Sequence, residues 1–174
     1  NATNVTFEKS AGSTDVINSL FVKGNITAKD KITTKGNISV GGTSSFTGVT
    51  SQSGAISLSG NATASGTISA SGNITFGKNA NIYEVTSQNG AISVGGTTLA
   101  NANITSAQSQ TFNGEFTLNK TVTILAKNNT VFFNDTVNGT YDLAIGNNAN
   151  ATNVTFEKSA GSTDVINSLF VKGN

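Results

Sequence analysis

From Asn25 onward the chain falls into sixes: NITAKD, KITTKG, NISVGG, TSSFTG, VTSQSG, AISLSG, NATASG, TISASG, NITFGK, NANIYE, VTSQNG and AISVGG. An apolar residue often sits second in the six, another often sits fourth, and Gly tends to close it. Alternation of inward and outward side chains over a few residues predicts a short strand. The Gly at the end of the six supplies a bend where positive φ or close backbone approach is needed. Every third six aligns better still. Ile38, Ile56, Ile74 and Ile92 are spaced by 18, and so are Val40, Leu58, Phe76 and Val94. Two apolar ladders with one step predict a parallel β-helix, in which like residues of successive turns stack inside. Between them Ser39, Ser57, Thr75 and Ser93 form an outward hydroxyl ladder. A 36-residue period, two turns long, overlies this: residues 24–59 align with 60–95, sharing VTSQSGAIS at Val49–Ser57 and VTSQNGAIS at Val85–Ser93.

After about Asn113 the rhythm lengthens. The pattern predicts strands at Phe116–Leu118, Val122–Leu125, Val131–Phe133, Tyr141–Ile145, Val154–Phe156 and Leu169–Val171. Val131 and Phe133 recur as Val154 and Phe156, 23 positions on, and Leu143 and Ile145 as Leu169 and Val171, 26 positions on. These are wider turns of the same solenoid, and the ten Phe and two Tyr are expected to fill most of its large core volume. Phe112, Phe116, Phe132, Phe133, Phe156 and Phe170 gather in the wide turns. Phe132 and Phe133 are adjacent, so strand alternation places one outside, and Phe132 is the choice. Thr, Ser, Asn and Gly are weak helix formers, and no 3.6-residue apolar stripe persists. Asp15–Leu20 alone offers a short helical turn at a corner.

Residues 150–174 repeat residues 1–25 without a change. The chain therefore reads as one full tandem repeat, 1–149, and then 150–174, the start of the next identical repeat, continuous with the first. Repeats of this kind point to a long fibre rather than a compact enzyme. The fold class expected is all-β: a parallel β-helix (right-handed β-solenoid) with roughly seven to eight turns per 149-residue repeat. At about 4.8 Å per stacked turn, one unit advances about 35 Å.

Composition narrows the chemistry. Cys, His, Met, Trp and Pro are absent, and charged residues make up 11% at a net charge of +1. There is no imidazole to serve as base or metal ligand and no thiolate chemistry. The nine acids, Glu8, Asp15, Asp30, Glu84, Glu115, Asp135, Asp142, Glu157 and Asp164, never fall within six residues of one another. That is too sparse for a carbohydrate-acting β-helix enzyme, whose groove gathers several acids with Arg or Lys. No Asp-rich, Gly-containing calcium loop is present. The expectation is no catalysis, no cofactor and no metal. Near-neutral charge gives no reason to expect nucleic acid. No run of about 18 apolar residues occurs, so no membrane insertion is expected of these residues.

Asn-x-Ser/Thr sequons are frequent. Candidate glycosylation positions are Asn4, Asn25, Asn37, Asn61, Asn73, Asn103, Asn128 and Asn138. The competing reading is that a chain so rich in Asn, Ser and Thr generates sequons by composition and stacking.

The segment Gln110–Ile124, QTFNGEFTLNKTVTI, resembles a repeat of filamentous-haemagglutinin-like bacterial adhesins, in which a QTYNG-type start precedes a TL…TTLT-type strand. Val131–Ile145, VFFNDTVNGTYDLAI, is similar to that family's VxFxxxVNGxxxLxI-type turn, and Asn153–Gly161, NVTFEKSAG, loosely matches the family's next turn. The resemblance covers roughly residues 108–173 and the copy at 1–24. It implies a right-handed β-helix rod, secreted through an outer-membrane partner to the bacterial cell surface, with a role in cell adhesion or biofilm. The shorter sixes of 25–96 look more like the GNITASG-type strings of trimeric phage tail fibres and surface stalks. The function expected is thus a structural or adhesive repeat of a long extracellular fibre. Its partners are adjacent identical repeats and, through lateral self-association, other rods; a surface or glycan ligand is bound by other parts of the protein. A trimeric stalk is the alternative.

Overall fold

In the computed structural model, which describes residues 4–147 and 152–173, the sixes wind into a parallel β-solenoid of about eight turns. Each turn lays one strand on each of three faces. The first face stacks β1 (Asn4–Phe7), the start of β3 (Asn25–Thr34), the start of β5 (Ser44–Ser51), β7 (Ala62–Ala64), β10 (Ala80–Ile82), β13 (Thr98–Ala100), β16 (Phe116–Leu118) and β19 (Val137–Asn138). On the second lie the ends of β3 and β5, then β8 (Ile68–Ala70), β11 (Val85–Ser87), β14 (Ile104–Ser106), β17 (Val122–Ala126), β20 (Asp142–Ile145) and β22 (Ser168–Val171). The third holds β2 (Leu20–Val22), β4 (Ile38–Val40), β6 (Ile56–Leu58), β9 (Ile74–Phe76), β12 (Ile92–Val94), β15 (Gln110–Phe112), β18 (Thr130–Phe133) and β21 (Asn153–Phe156). β3 and β5 run through the corner between the first two faces, which therefore join as one 14-stranded sheet beside the 8-stranded third face. β3 carries an irregularity between Ala28 and Lys31.

Both 18-residue ladders are present in register. Ile38, Ile56, Ile74 and Ile92 stack on one another, as do Val40, Leu58, Phe76 and Val94, and all are buried. Ser39, Ser57, Thr75 and Ser93 stack between them on the outside. The wide turns pair as their spacing predicts, Val131 on Val154 and Phe133 on Phe156, Leu143 on Leu169 and Ile145 on Val171. Their extra volume is filled by aromatic rings. Phe112 and Phe133 stack at 5.3 Å, Phe133 and Phe156 at 5.1 Å, and Phe116 meets Phe112 and Phe133 edge-on at 4.7 and 5.2 Å.

Two expectations are corrected. Phe21 and Phe170 are not core: they are 69% and 54% exposed. Each is the middle residue of Leu-Phe-Val, and Leu and Val take the inward places, so alternation turns Phe outward. Tyr83 and Tyr141 are likewise exposed, at 46% and 42%. The one helical alternative, at Asp15–Leu20, is not taken up, as the all-β reading expects: Ile17 bridges to Thr34 in parallel, and the chain enters β2 at Leu20. Phe132 does take the outer side of β18 while Phe133 is fully buried.

The corner glycines serve close approach rather than left-handed backbone. The positive-φ glycines, Gly12, Gly139, Gly146 and Gly161, all lie outside the sixes. At Gly54 a Cβ would sit 2.5 Å from the Gly36 carbonyl carbon one turn away, which is shorter than any side chain tolerates.

Candidate functional site

The corners are built by Asn as much as by Gly. Asn25, Asn37, Asn73, Asn79 and Asn103 each open a six, and each side-chain oxygen accepts a backbone N–H from the next turn. The donors are Thr43 at 2.8 Å, Ala55 at 2.9 Å, Ala91 at 2.9 Å, Thr97 at 3.1 Å and Thr123 at 2.9 Å. This explains why sequons abound. Asn holds the corner, the next residue points into the core, and the third points out and is Ser or Thr in the outward ladder. Four of the five corner Asn residues head an Asn-Ile-Ser/Thr triplet for that reason.

Among the glycosylation candidates, Asn4, Asn25, Asn37, Asn61, Asn73, Asn103 and Asn128 lie on the exposed surface. Asn138 does not. It is 2% exposed; its amide nitrogen donates to Glu115 at 3.2 Å and its oxygen accepts from the Thr163 N–H at 3.1 Å. The Asn25 amide nitrogen donates to Asn4 at 2.9 Å.

The acids are spread along the rod. Among the described residues no three Asp or Glu side chains gather into a metal-binding group. Glu8 pairs with Lys29 at 2.8 Å on the surface, and Glu84 accepts from the Thr67 hydroxyl at 2.9 Å. Asp135 is held below the usual carboxylate range, first by its hydrogen bond from Lys158 at 2.8 Å and then by the Thr136 N–H. Asp142 is lowered by donation from the Ser168 hydroxyl and the Asn167 amide. Both thereby bind residues of the second copy. An open depression of about 500 Å³ is lined by Lys31, Thr47, Gly48, Thr50, Thr67 and Ser69 beside the β3 irregularity. A lone ammonium among hydroxyls supplies neither a nucleophile activated by a base nor an acid–base pair.

Inside, the Ser51 and Ser87 hydroxyls and the Gln110 amide nitrogen bind backbone groups. Ser51 donates to the Gly36 carbonyl at 2.8 Å and accepts the Gly54 N–H at 3.1 Å; Ser87 does the same with Gly72 and Gly90, at 2.9 and 3.1 Å. Gln110 stands in the apolar column between Ile92 and Val131, and its amide donates to the Leu125 carbonyl at 2.9 Å across the core. Sequence reasoning did not single out Gln110. Its place 18 residues after Ile92 was the available signal.

No family model matches the chain, and no curated protein or solved structure matches it at a significant level.

Proposed function

We propose that this chain is a structural repeat of a long extracellular bacterial fibre, an adhesin or filament stalk that carries attachment or biofilm functions at the cell surface. The unit performs no catalysis. It is secreted, stacks on adjacent identical repeats, and holds binding elements located elsewhere in the protein away from the cell. The observation that carries this reading is the stacking between copies. β21 and β22 belong to the second copy, yet they pair in register with β18 and β20 of the first. Phe156 continues the aromatic stack of Phe133. Units that share one core make a rod, not beads.

The test is electron microscopy of arrays with one, two and four units. A rod that lengthens by about 35–40 Å per unit supports the reading, and a flexible string of beads sinks it. A trimeric stalk is the rival. One chain closing all three faces around Phe76 and Phe112, both fully buried, favours the single-chain solenoid. Light scattering decides, because a trimeric mass would overturn it.

A further inference from the structure

The two identical segments lie on different faces. In the first copy, β1 is on the first face, Ala11 bridges to Ile32 on the second, and β2 is on the third. In the second copy, the same residues come one face earlier. β21, identical in sequence to β1, is on the third face; Ala160 bridges to Val137 on the first; and β22, which contains the copy of β2, is on the second. Between Asn4 and Asn153 the chain crosses the first face seven further times and then moves on by two faces.

The strand that would cover β21 is indicated by its twin. Asn4–Phe7 is covered by Asn25–Ala28, paired residue for residue, and Asn25 hydrogen-bonds Asn4. In the second copy the Thr152 N–H donates to the Lys172 carbonyl at 2.9 Å, and Gly173 lies against Thr152 and Asn153. The chain is thus delivered to the open edge of β21 as it is delivered to β1. Burial agrees. Val22, covered by Val40, is 5% exposed, while its copy Val171 is 41% exposed. Phe21 and Phe170 are exposed in both copies, so their outward position belongs to the unit.

Resting on the fibre reading above, we infer that the open edge formed by β21 and β22 takes a further copy of this chain's own residues from Asn25 onward, and that each 149-residue unit advances the solenoid by seven and two-thirds turns. Successive units are then related by an axial rise of about 37 Å and a rotation of one third of a turn, to which the solenoid's slow twist adds. Each surface feature of the unit appears on all three faces in rotation, and the direction recurs every third unit, after about 110 Å. Phe21 and Phe170 display this already, one on the third face and one on the second. A fibre so built has no blank side. Whatever partner recognises one unit meets the same residues from three directions, and lateral contact with like rods can propagate three ways.

The test uses an array of six units carrying Thr75→Cys in each, labelled with a maleimide gold cluster and imaged in vitreous ice. Thr75 is exposed on β9, and the chain has no other cysteine. Labels should step along the rod at about 37 Å and around it by one third of a turn. Labels along a single side of an intact rod would overturn the inference while leaving the fibre reading standing; the absence of a rod would overturn both. Thr63→Cys, exposed on the first face, is the second variant and should give the same step from a different starting azimuth.

Discussion

The narrow turns between Ile38 and Phe112 and the wide turns between Phe112 and Phe156 solve the same problem differently. In the narrow half the step along the third face is 18 residues, the two inner columns of that face are Ile, Val, Leu and a single Phe, and the corners are pulled in by Gly and Asn. In the wide half the step grows to 21 and 23, the corner columns lapse, and four Phe rings hold the turns together. A tight corner requires little side-chain volume but demands backbone without Cβ. A wide corner frees the backbone and demands large rings. The two halves should therefore respond to different mutations.

The largest effect is expected at Phe133, the ring that touches Phe112, Phe116 and Phe156. Phe133→Ala should cost about 3–5 kcal/mol in urea unfolding, by the usual scale for a buried ring. In a solenoid each turn contacts only its neighbours, so the damage should be local. Hydrogen exchange should show lost protection in 116–156 with 38–94 still protected. Uniform loss along the chain would mean the halves are not separable.

Next comes the corner column of the narrow half. Gly54→Ala should destabilise by about 1–3 kcal/mol through overpacking, because its Cβ would meet Gly36 and Asn37 at 2.5 Å. Gly72→Ala is the internal control: its Cβ would lie no closer than 3.3 Å to Gly54, so the cost should be clearly smaller in the same urea titration. Along this one corner the difference follows the Asn pattern. Gly54 and Gly90 sit over Asn37 and Asn73, whose amides draw the upper turn in, while Gly72 sits over Gly54 and Ala55. Equal effects at Gly54 and Gly72 would remove Asn from the explanation. Asn73→Ala itself should cost about 0.5–1.5 kcal/mol, one hydrogen bond from the Ala91 N–H.

The fold was legible in the sequence because stacking makes register visible. Residues that touch are 18 apart, so Ile38, Ile56, Ile74 and Ile92 announce their own contacts. The wide turns were legible only through shorter matches such as Val131 with Val154, since insertions at the corners break the period. Phe21 departs from expectation because its hydrophobicity outweighed the alternation of Leu20, Phe21 and Val22, although the pattern itself assigns Phe to the outside. The face exchange between the copies was not legible at all. Sequence identity determines which residues stack locally, but the face they land on depends on the count of corners across the whole unit. The surface chemistry was half legible: sequons could be found, yet only the corner hydrogen bonds explain why Asn stands there.

The smallest effect concerns two carboxylates of the wide half that bind the second copy. Asp135 and Asp142 have carboxyls lowered from the ordinary value by partners in the second copy, Lys158 for one and Ser168 and Asn167 for the other. A carboxyl whose folded pKa is depressed contributes stability above its unfolded pKa and loses it as pH falls through the folded one. The window is therefore acidic, opening below about pH 4, and the effect is modest because both groups are only half-buried and still reached by solvent. Urea midpoints at neutral pH and at about pH 3 should fall more for the unmodified chain than for the double variant D135N/D142N. Hydrogen exchange should place the difference in 153–171, where the second copy meets the first. An equal fall in both proteins would show that these carboxylates do not clamp the units, and that the shared core alone holds them together.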